Sequence, residues 1–410
     1  MMKLRSICLY ISLAAATLIT TTYLWSCGST ADASTTSSVT ELTEPLDSIF
    51  GNLFPEKRAP GAVVMVRRGD SIYYNRGFGM ARLDNNLRMT DSTILNIASA
   101  SKTFTAIGLV KLAAQGRLSL DDPMSKYFPE FNHGIFSKIT LRHILSHTTG
   151  LGDGRPRTTA EWDAFLRRHR SAFAKAPDFV RYGREKEQIN IYHSLDSMHS
   201  EPGAKFEYAD APYKLLAPII EQVTDTTFED WMKTNILRPA GMCETRYVSP
   251  TLTHPRMAHA YRAAKDKPKP GVFRSADGCW DEFDYGEAEL FLTRADNGIY
   301  TSPREFAAWV RKLHRGEIMP MPMVRELHTT VVETGIPDIG YAMGIFTQSS
   351  GLYPYKVFHS SQNGGFGIYE AYFPDSDISY LIFANRNDWN RLEVSSKVDS
   401  VLAAKHWFDR

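Results

Sequence analysis

The sequence predicts an α+β fold: an antiparallel sheet assembled from both chain ends and flanked by helices, with a mostly helical lobe inserted between them. Two observations carry this reading. β-rich runs lie near both ends of the chain, and helix-spaced apolar residues fill the middle. A third bounds it: 410 residues, 43% of them hydrophobic and 23% charged, supply enough apolar material for a large core in one or two domains.

The N-terminus stands apart. Lys3 and Arg5 precede an apolar run, and small and polar residues follow it. A basic start, an apolar stretch and small residues before a cut site read as a secretory signal over residues 1–27. "LWSC" at 24–27 resembles a bacterial lipobox, which makes Cys27 the expected lipidation site and a lipoprotein at the periplasm or membrane surface the expected product. A plain signal cut nearby is the alternative. Residues 28–44 read as a polar linker too poor in apolar side chains to fold, and residues 45–408 as the folded domain. An α/β lobe is expected over about 45–118 and 296–408, and a helical lobe over about 119–295. With Cys27 lipidated, Cys243 and Cys279 either pair in an oxidising compartment or stay free.

Along the domain, "GAVVMVRRGDSIYYNRGFGMA" (61–81) reads as a hairpin turning at Arg68-Gly69-Asp70. "SKTFTAIGLVKLAAQGRL" reads as a helix that Gly116 stops. "LRHILSH", "AEWDAFLRRHRSAFA", "YKLLAPIIEQV" and "FEDWMKTNIL" follow as helices, and "SPREFAAWVRKLHRG" as one capped by Ser302 with Pro303 in its first turn. Strands return in "YAMGIFTQ", "PYKVFHS", "GFGIYEAYF" and "ISYLIFANR", before an amphipathic helix over 390–408. A formal net charge of +1 without long charge runs gives no reason to expect nucleic acid as a partner.

"NIASASKTF" (96–104) opens the chemistry. Residues three apart on a helix share a face, so Lys102 reaches Ser99 and points away from Ser101. A serine needs a base to take its proton, and lysine serves only when neutral. Read alone, the pattern is better described as an N-cap serine with a lysine on the solvated face. His143 and His147 have the i,i+4 spacing of metal ligands, but no third ligand is evident, so no metal and no cofactor is expected. No G-x-S-x-G, H-E-x-x-H or Walker loop occurs.

Four blocks set this pattern in context: "NIASASKTFTAIGLVKLAAQGRLSLDDPMSKYFPEF" with "LRHILSHTTGL", "KFEYADAPYKLLAPIIEQVTDTTFEDWM", "DNGIYTSPREFAAWV" and "HSSQNGGFGIYEAYFPDSDISYLIFANRND". In this order they resemble the serine β-lactamase and penicillin-binding-protein superfamily, in its class C-like branch. The resemblance implies a β-lactamase/transpeptidase-like fold. It assigns Ser99 as nucleophile, Lys102 as its proton partner and Tyr208 as the catalytic tyrosine. Lys102 and Tyr208 then titrate as a unit, without one sole base. Asp210 stands where the family's motif often has Asn. An ionised Asp only accepts hydrogen bonds, so it binds substrate differently or holds Lys102 in an ion pair. His359-Ser360-Ser361 occupies the Lys-Thr-Gly position, the remaining substrate-binding stretch. A neutral histidine weakens recognition of a substrate carboxylate there, and Ser361 in place of Gly tightens the cleft. By register, the backbone N–H groups of Ser99 and Gln362 form the oxyanion hole.

The expected function is an exported or lipid-anchored serine hydrolase that cleaves a small ester, amide or D-amino-acid peptide through an acyl-enzyme. The alternatives are a β-lactamase or penicillin-binding carboxypeptidase, and a non-catalytic relative that binds cell-wall peptides. The expected partners are a small-molecule or peptide substrate and, through the anchor, a membrane. The Arg- and aromatic-rich segment 152–198 lies between the first two motifs, either over the cleft or as a solvated helical face.

Overall fold

Val63 to Val66 are apolar at every position because the sheet they join is covered on both faces. In a computed structural model, which describes residues 40–55, 58–152, 198–249, 252–265, 271–283 and 294–409, the main sheet has eight strands. They are β1 (Ala62–Arg68), β2 (Ser71–Phe78), β3 (Val332–Ile336), β4 (Ile339–Tyr341), β5 (Phe346–Gln348), β6 (Lys356–Asn363), β7 (Phe366–Phe373) and β8 (Ile378–Ala384). The order across the sheet is β3-β4-β5-β6-β7-β8-β1-β2, antiparallel throughout. The two chain ends meet where β1 pairs with β8, from Ala62 opposite Ala384 to Arg68 opposite Ile378. Sheet and helices together form the expected α+β fold. The expected signal over 1–27 with Cys27, most of the expected linker, and residues 153–197 with the helix expected near 160–174 lie outside the described residues.

The outer face of the sheet packs on helices α1 (Thr40–Leu53) and α6, the last helix (Arg391–Ala404). Leu42, Leu46 and Phe50 recur every four residues, so they share one helical face, and all are buried with Val398 and Leu402. The polar linker expected to reach residue 44 therefore overlaps the first turn of α1. The inner face (Val63, Met65, Ile368, Leu381, Phe383) packs on α2 (Ser101–Ala114). Every residue of α2 from Ser101 to Val110 is buried, as expected of a helix surrounded by protein on all sides.

"YAMGIFTQ" is not one strand. The chain reverses between β4 and β5 at Gly344, which has φ +79°. A Cβ at Gly344 would stand 2.9 Å from Ala106 Cβ and 3.0 Å from the carbonyl oxygen of Lys102. Only glycine fits this turn against α2. The hairpin of β6 and β7 turns at Gly364 and Gly365, and a Cβ on Gly365 would meet the Tyr261 backbone nitrogen at 2.5 Å.

The middle of the chain contributes α3 (Asp210–Lys214), α4 (Leu216–Thr224) and further short helices. It also carries short strands that periodicity does not reveal: Arg246–Tyr247 joins a small sheet with Leu95–Asn96 and Ile299–Thr301, and Tyr261–Ala263 pairs with Trp280–Glu282. α5 (Pro303–His314) begins as expected, with the Ser302 hydroxyl accepting the Glu305 N–H at 3.2 Å. Cys279 is an exposed free cysteine, so the Cys243–Cys279 pair is not formed.

Candidate active site

From Thr93 to Val110 every residue is buried except Ser99. The serine lies not on α2 itself but on the tight turn Ala98–Ala100 that feeds it. That turn is held open by its neighbours. Ala98 has φ +51°, a conformation side chains avoid, and its N–H donates to Asn96 Oδ1 at 2.9 Å. Asn96 in turn donates to the carbonyl of Asn297 at 2.9 Å and accepts from Asn363 Nδ2 at 3.0 Å. One asparagine thus ties the Ser99 turn to the end of β6. Ser101 is buried beside it, and its hydroxyl accepts the Ile299 N–H at 3.2 Å, a packing and hydrogen-bonding place as its position on the helix predicts.

Lys102 leaves the first turn of α2 and is fully buried. Its ammonium is 3.1 Å from Ser99 Oγ, 2.7 Å from Asp210 Oδ1 and 3.3 Å from the carbonyl oxygen of Asp296. It lies 5.2 Å from the ring centre of Tyr208 and 5.6 Å from that of Tyr213. Burial pulls the lysine toward the neutral form, but Asp210, Tyr208 and Asp296 outweigh it and hold its pKa above the ordinary lysine value. Of the two roles open to Asp210, the ion pair with Lys102 is the one the geometry displays.

Tyr208 is half-buried on the extended segment just before α3. Burial raises its pKa; the Lys102 charge and hydrogen bonds with Ser99 and Lys102 offset this only in part. Its ring stacks on Phe346, with 8° between the planes, and lies 4.2 Å from the ring of His147. His147 explains the motif "LRHILSHTTGL". Its backbone oxygen accepts the Glu207 N–H at 2.8 Å and its Nδ1 accepts the Ala209 N–H at 3.2 Å, so it grips the residues on both sides of Tyr208. Gly150 O and Thr148 O accept from His199 and Gly203, extending the clamp. His143 faces elsewhere: its Nδ1 accepts the Thr140 N–H at 3.2 Å in a capping box. The i,i+4 spacing of the two histidines thus serves a helix cap and a clamp, and no cluster of three His, Cys, Asp or Glu residues fit for a metal occurs among the described residues.

β6 forms the opposite wall. β5 pairs with it only as far as Phe358, so along 359–363 one edge has no strand partner in this sheet, beside the Ser99 turn. Side chains alternate across this stretch. His359 and Ser361 are buried and bonded to one another, Nδ1 to Oγ at 2.8 Å. Burial and the nearby Lys102 charge push the His359 pKa down to about 3, so the ring is neutral. Ser360 and Gln362 point the other way, toward α6, where Arg391 donates to Ser360 Oγ and to Gln362 Oε1, both at 3.2 Å. Among the described residues Arg391 makes no ion pair. The substrate-binding set read from sequence therefore divides: Ser360 meets a cation, His359 and Ser361 meet each other, and Asp210 meets Lys102. Asn96, His147, Asp296 and Arg391 belong to the site as well. "HILSHTTGL" and "DNG" carried a signal for two of them; Asn96 opens the Ser99 block but no role was read for it, and Arg391 had no signal beyond its proximity to a motif.

A family model described as Beta-lactamase matches residues 39–404. The chain belongs to the Beta-lactamase family. Within reach of this family, it is similar to protein flp of Staphylococcus aureus, 24% identical over 351 residues, which covers 84% of this chain and 63% of that protein. The chain thus spans less than two thirds of the length of that relative. Penicillin-binding protein 4* of Bacillus subtilis is 32% identical over 214 residues, 52% of this chain and 44% of that protein. Among solved structures, the octameric penicillin-binding protein homologue from Pyrococcus abyssi superposes with a TM-score of 0.71 at 22% identity, covering 88% of this chain and 77% of that one. EstCE1, described as a hydrolase with promiscuous acyltransferase activity, gives a TM-score of 0.70 at 18% identity, covering 89% and 99%. At these identities the two structures speak to the fold, and place this chain in the β-lactamase/penicillin-binding-protein architecture.

Proposed function

We propose that this Beta-lactamase family member is an exported or lipid-anchored serine hydrolase working through an acyl-enzyme. Ser99 attacks a carbonyl carbon, Lys102 and Tyr208 move its proton, the backbone N–H groups of Ser99 and Gln362 receive the developing oxyanion, and water releases the acyl group. The observation that carries this reading is the 3.1 Å contact between Lys102 and the one accessible residue in a buried run, Ser99. The names of its relatives, penicillin-binding proteins and an acyl-transferring hydrolase, agree with it. Against the non-catalytic reading stands the intact Ser99, Lys102 and Tyr208 set.

For the substrate, a small ester, amide or D-amino-acid peptide is favoured over a β-lactam. The Lys-Thr-Gly lysine is replaced by a histidine that is neutral and bonded to Ser361. The test is fluorophosphonate labelling followed by intact-mass measurement. One adduct is expected on the wild type and none on Ser99→Ala; equal adducts on both would sink the assignment. Competition by esters, D-aminoacyl compounds and β-lactams then ranks the substrates. Rapid nitrocefin turnover would instead favour the β-lactamase alternative.

A further inference from the structure

We infer that Phe346 and Phe206, with the ring of Tyr208, form an aromatic shelf that takes the departing group of the substrate, and that this group is apolar and uncharged. The inference rests on Ser99 being the nucleophile. It narrows the substrate to esters and amides whose leaving side is hydrocarbon, and sets D-amino-acid peptides aside.

Phe206, Tyr208 and Phe346 are each half-buried. The Phe346 ring lies 6.1 Å from that of Tyr208, 8° from parallel, and 6.3 Å from that of Phe206. Phe206 and Tyr208 are 6.4 Å apart. The buried ring of Tyr341 backs all three, at 4.7 Å from Phe346, 5.3 Å from Phe206 and 6.3 Å from Tyr208. Rings at these separations pack on one another, so the half-buried faces make one continuous apolar surface. Such a patch marks a place for a ligand, where single exposed apolar residues do not. Lys102 joins it to the nucleophile: its Nζ is 3.1 Å from Ser99 Oγ and 5.2 Å from the Tyr208 ring centre.

The direction of the substrate over the shelf follows from β6. Phe346 pairs with Phe358, where the β5–β6 ladder ends, and its ring is 5.6 Å from that of His359. The shelf thus stands at the His359 end of the open edge. Gln362, whose N–H is proposed to receive the oxyanion, lies three residues on, about 10 Å along the strand. When the intermediate collapses, the bond from the carbonyl carbon to the departing oxygen or nitrogen breaks. That atom takes up the proton that Lys102 and Tyr208 received from Ser99, so it leaves on the Tyr208 side, over the shelf. Charge at this end is already matched. Lys102 holds Asp210 at 2.7 Å, Glu207 holds His199 at 2.7 Å, and the His359 ring is neutral. Arg391 is held at Ser360 and Gln362, past His359 and toward the oxyanion end. A departing group with a carboxylate would give up water to lie on rings, which is costly; a hydrocarbon group gains by the same move.

The experiment compares two isomeric esters with methyl acetate: benzyl acetate, with its ring on the departing alcohol, and methyl phenylacetate, with its ring on the acyl side. Benzyl acetate should have the highest kcat/KM. Phe346→Ala should cut its advantage over methyl acetate by about tenfold or more, mainly through KM. Where Phe346→Ala fails to fold, Phe346→Leu should cut the advantage in the same direction by less. A ring preferred on the acyl side, or a benzyl advantage unchanged in the variant that folds, overturns the inference. Binding is read separately on Ser99→Ala, with the fluorescence of 2-naphthol as the probe. Adding the Phe346 change should weaken binding of the probe, and D-alanine should not displace it; unaltered binding or displacement by D-alanine overturns the inference too. Binding needs no reaction, so it still decides the shelf where a missing fluorophosphonate adduct has sunk the hydrolase reading.

Discussion

Ser99 follows a residue whose backbone is left-handed, and two side chains make that tolerable. A non-glycine residue at positive φ costs on the order of 1–3 kcal/mol and persists only where its surroundings hold it. Ala98 is held by Asn96, which also ties the turn to Asn363 on β6. Asn96→Ala should therefore lower the Ser99 labelling rate by about tenfold or more, through misplacement of the nucleophile. It should also cost about 1–3 kcal/mol in urea unfolding through the donors it leaves unpaired. Labelling equal to wild type would show that the turn holds itself. Arg391 is the second informative residue. It is a half-buried cation whose hydrogen bonds among the described residues go to neutral acceptors on the site strand. Arg391→Ala should raise KM for substrates that carry a carboxylate, by about tenfold for a lost charge-assisted contact, and leave neutral esters little changed. Steady-state kinetics on a matched acid and methyl-ester pair separates the two outcomes.

At the scale of elements, β6 is anchored at one end and open at the other. Its first residue, Lys356, is buried with Asp399 of α6 at 2.7 Å, and the hydroxyls of Tyr353 and Tyr380 fill the same carboxylate. Removing one partner of such a pair leaves an uncompensated buried charge. Asp399→Ala should thus cost about 3–5 kcal/mol, while the double change Lys356→Met with Asp399→Leu should cost much less. Chemical denaturation of both variants checks this; equal losses would mean that the pair acts only through packing. The β4–β5 turn is a second such joint. Gly344 accepts the Thr103 hydroxyl at 2.7 Å and leaves no room for a Cβ beside the Lys102 carbonyl. Gly344→Ala should both destabilise the fold and slow labelling, because the clash pushes on the turn of α2 that carries Lys102.

For the molecule as a whole, buried titratable groups set the pH range of stability. His147, His314, His328 and His359 are all buried with lowered pKa values, about 4 for His328 and about 3 for His359 against 6.5 in the unfolded chain. A depressed histidine pKa means the unfolded chain binds the proton first. The stability these groups contribute is complete above pH 6.5 and is lost as pH falls toward the folded values. Glu370 has the opposite sign. Burial raises its pKa from 4.5 to about 8, so its contribution is present at low pH and is lost as pH rises toward 8. Four histidines outweigh one glutamate on the acid side, and of these five groups the glutamate alone still titrates above 6.5. Unfolding free energy should therefore peak near pH 6.5, and Glu370→Gln should flatten the decline between about 6.5 and 8. Urea titrations across that range test it, and a wild-type profile still climbing at pH 8 would refute it.

Much of this was legible in the chain. The β6–β7–β8 strands, the α5 cap and the reach of Lys102 to Ser99 follow from local patterns, because hydrogen-bond periodicity and helical spacing are set by neighbours in sequence. The spacing of Leu42, Leu46 and Phe50 was present too, though the polar residues between them hide it within an apparent linker. What local pattern could not carry is anything decided between distant segments. Gly344 is a turn because α2 lies against it. Asn96 matters because Asn363 comes to it. The role of Asp210 depends on a lysine 108 positions earlier. The residue type at 210 was readable, but its consequence was not, since the effect of a carboxylate depends on how much water is left around it and which charge it meets. Sequence by itself determined the fold class and nominated the side chains proposed for the chemistry; tertiary structure alone decided their partners and their burial, because burial and distance, not residue identity, set an electrostatic energy.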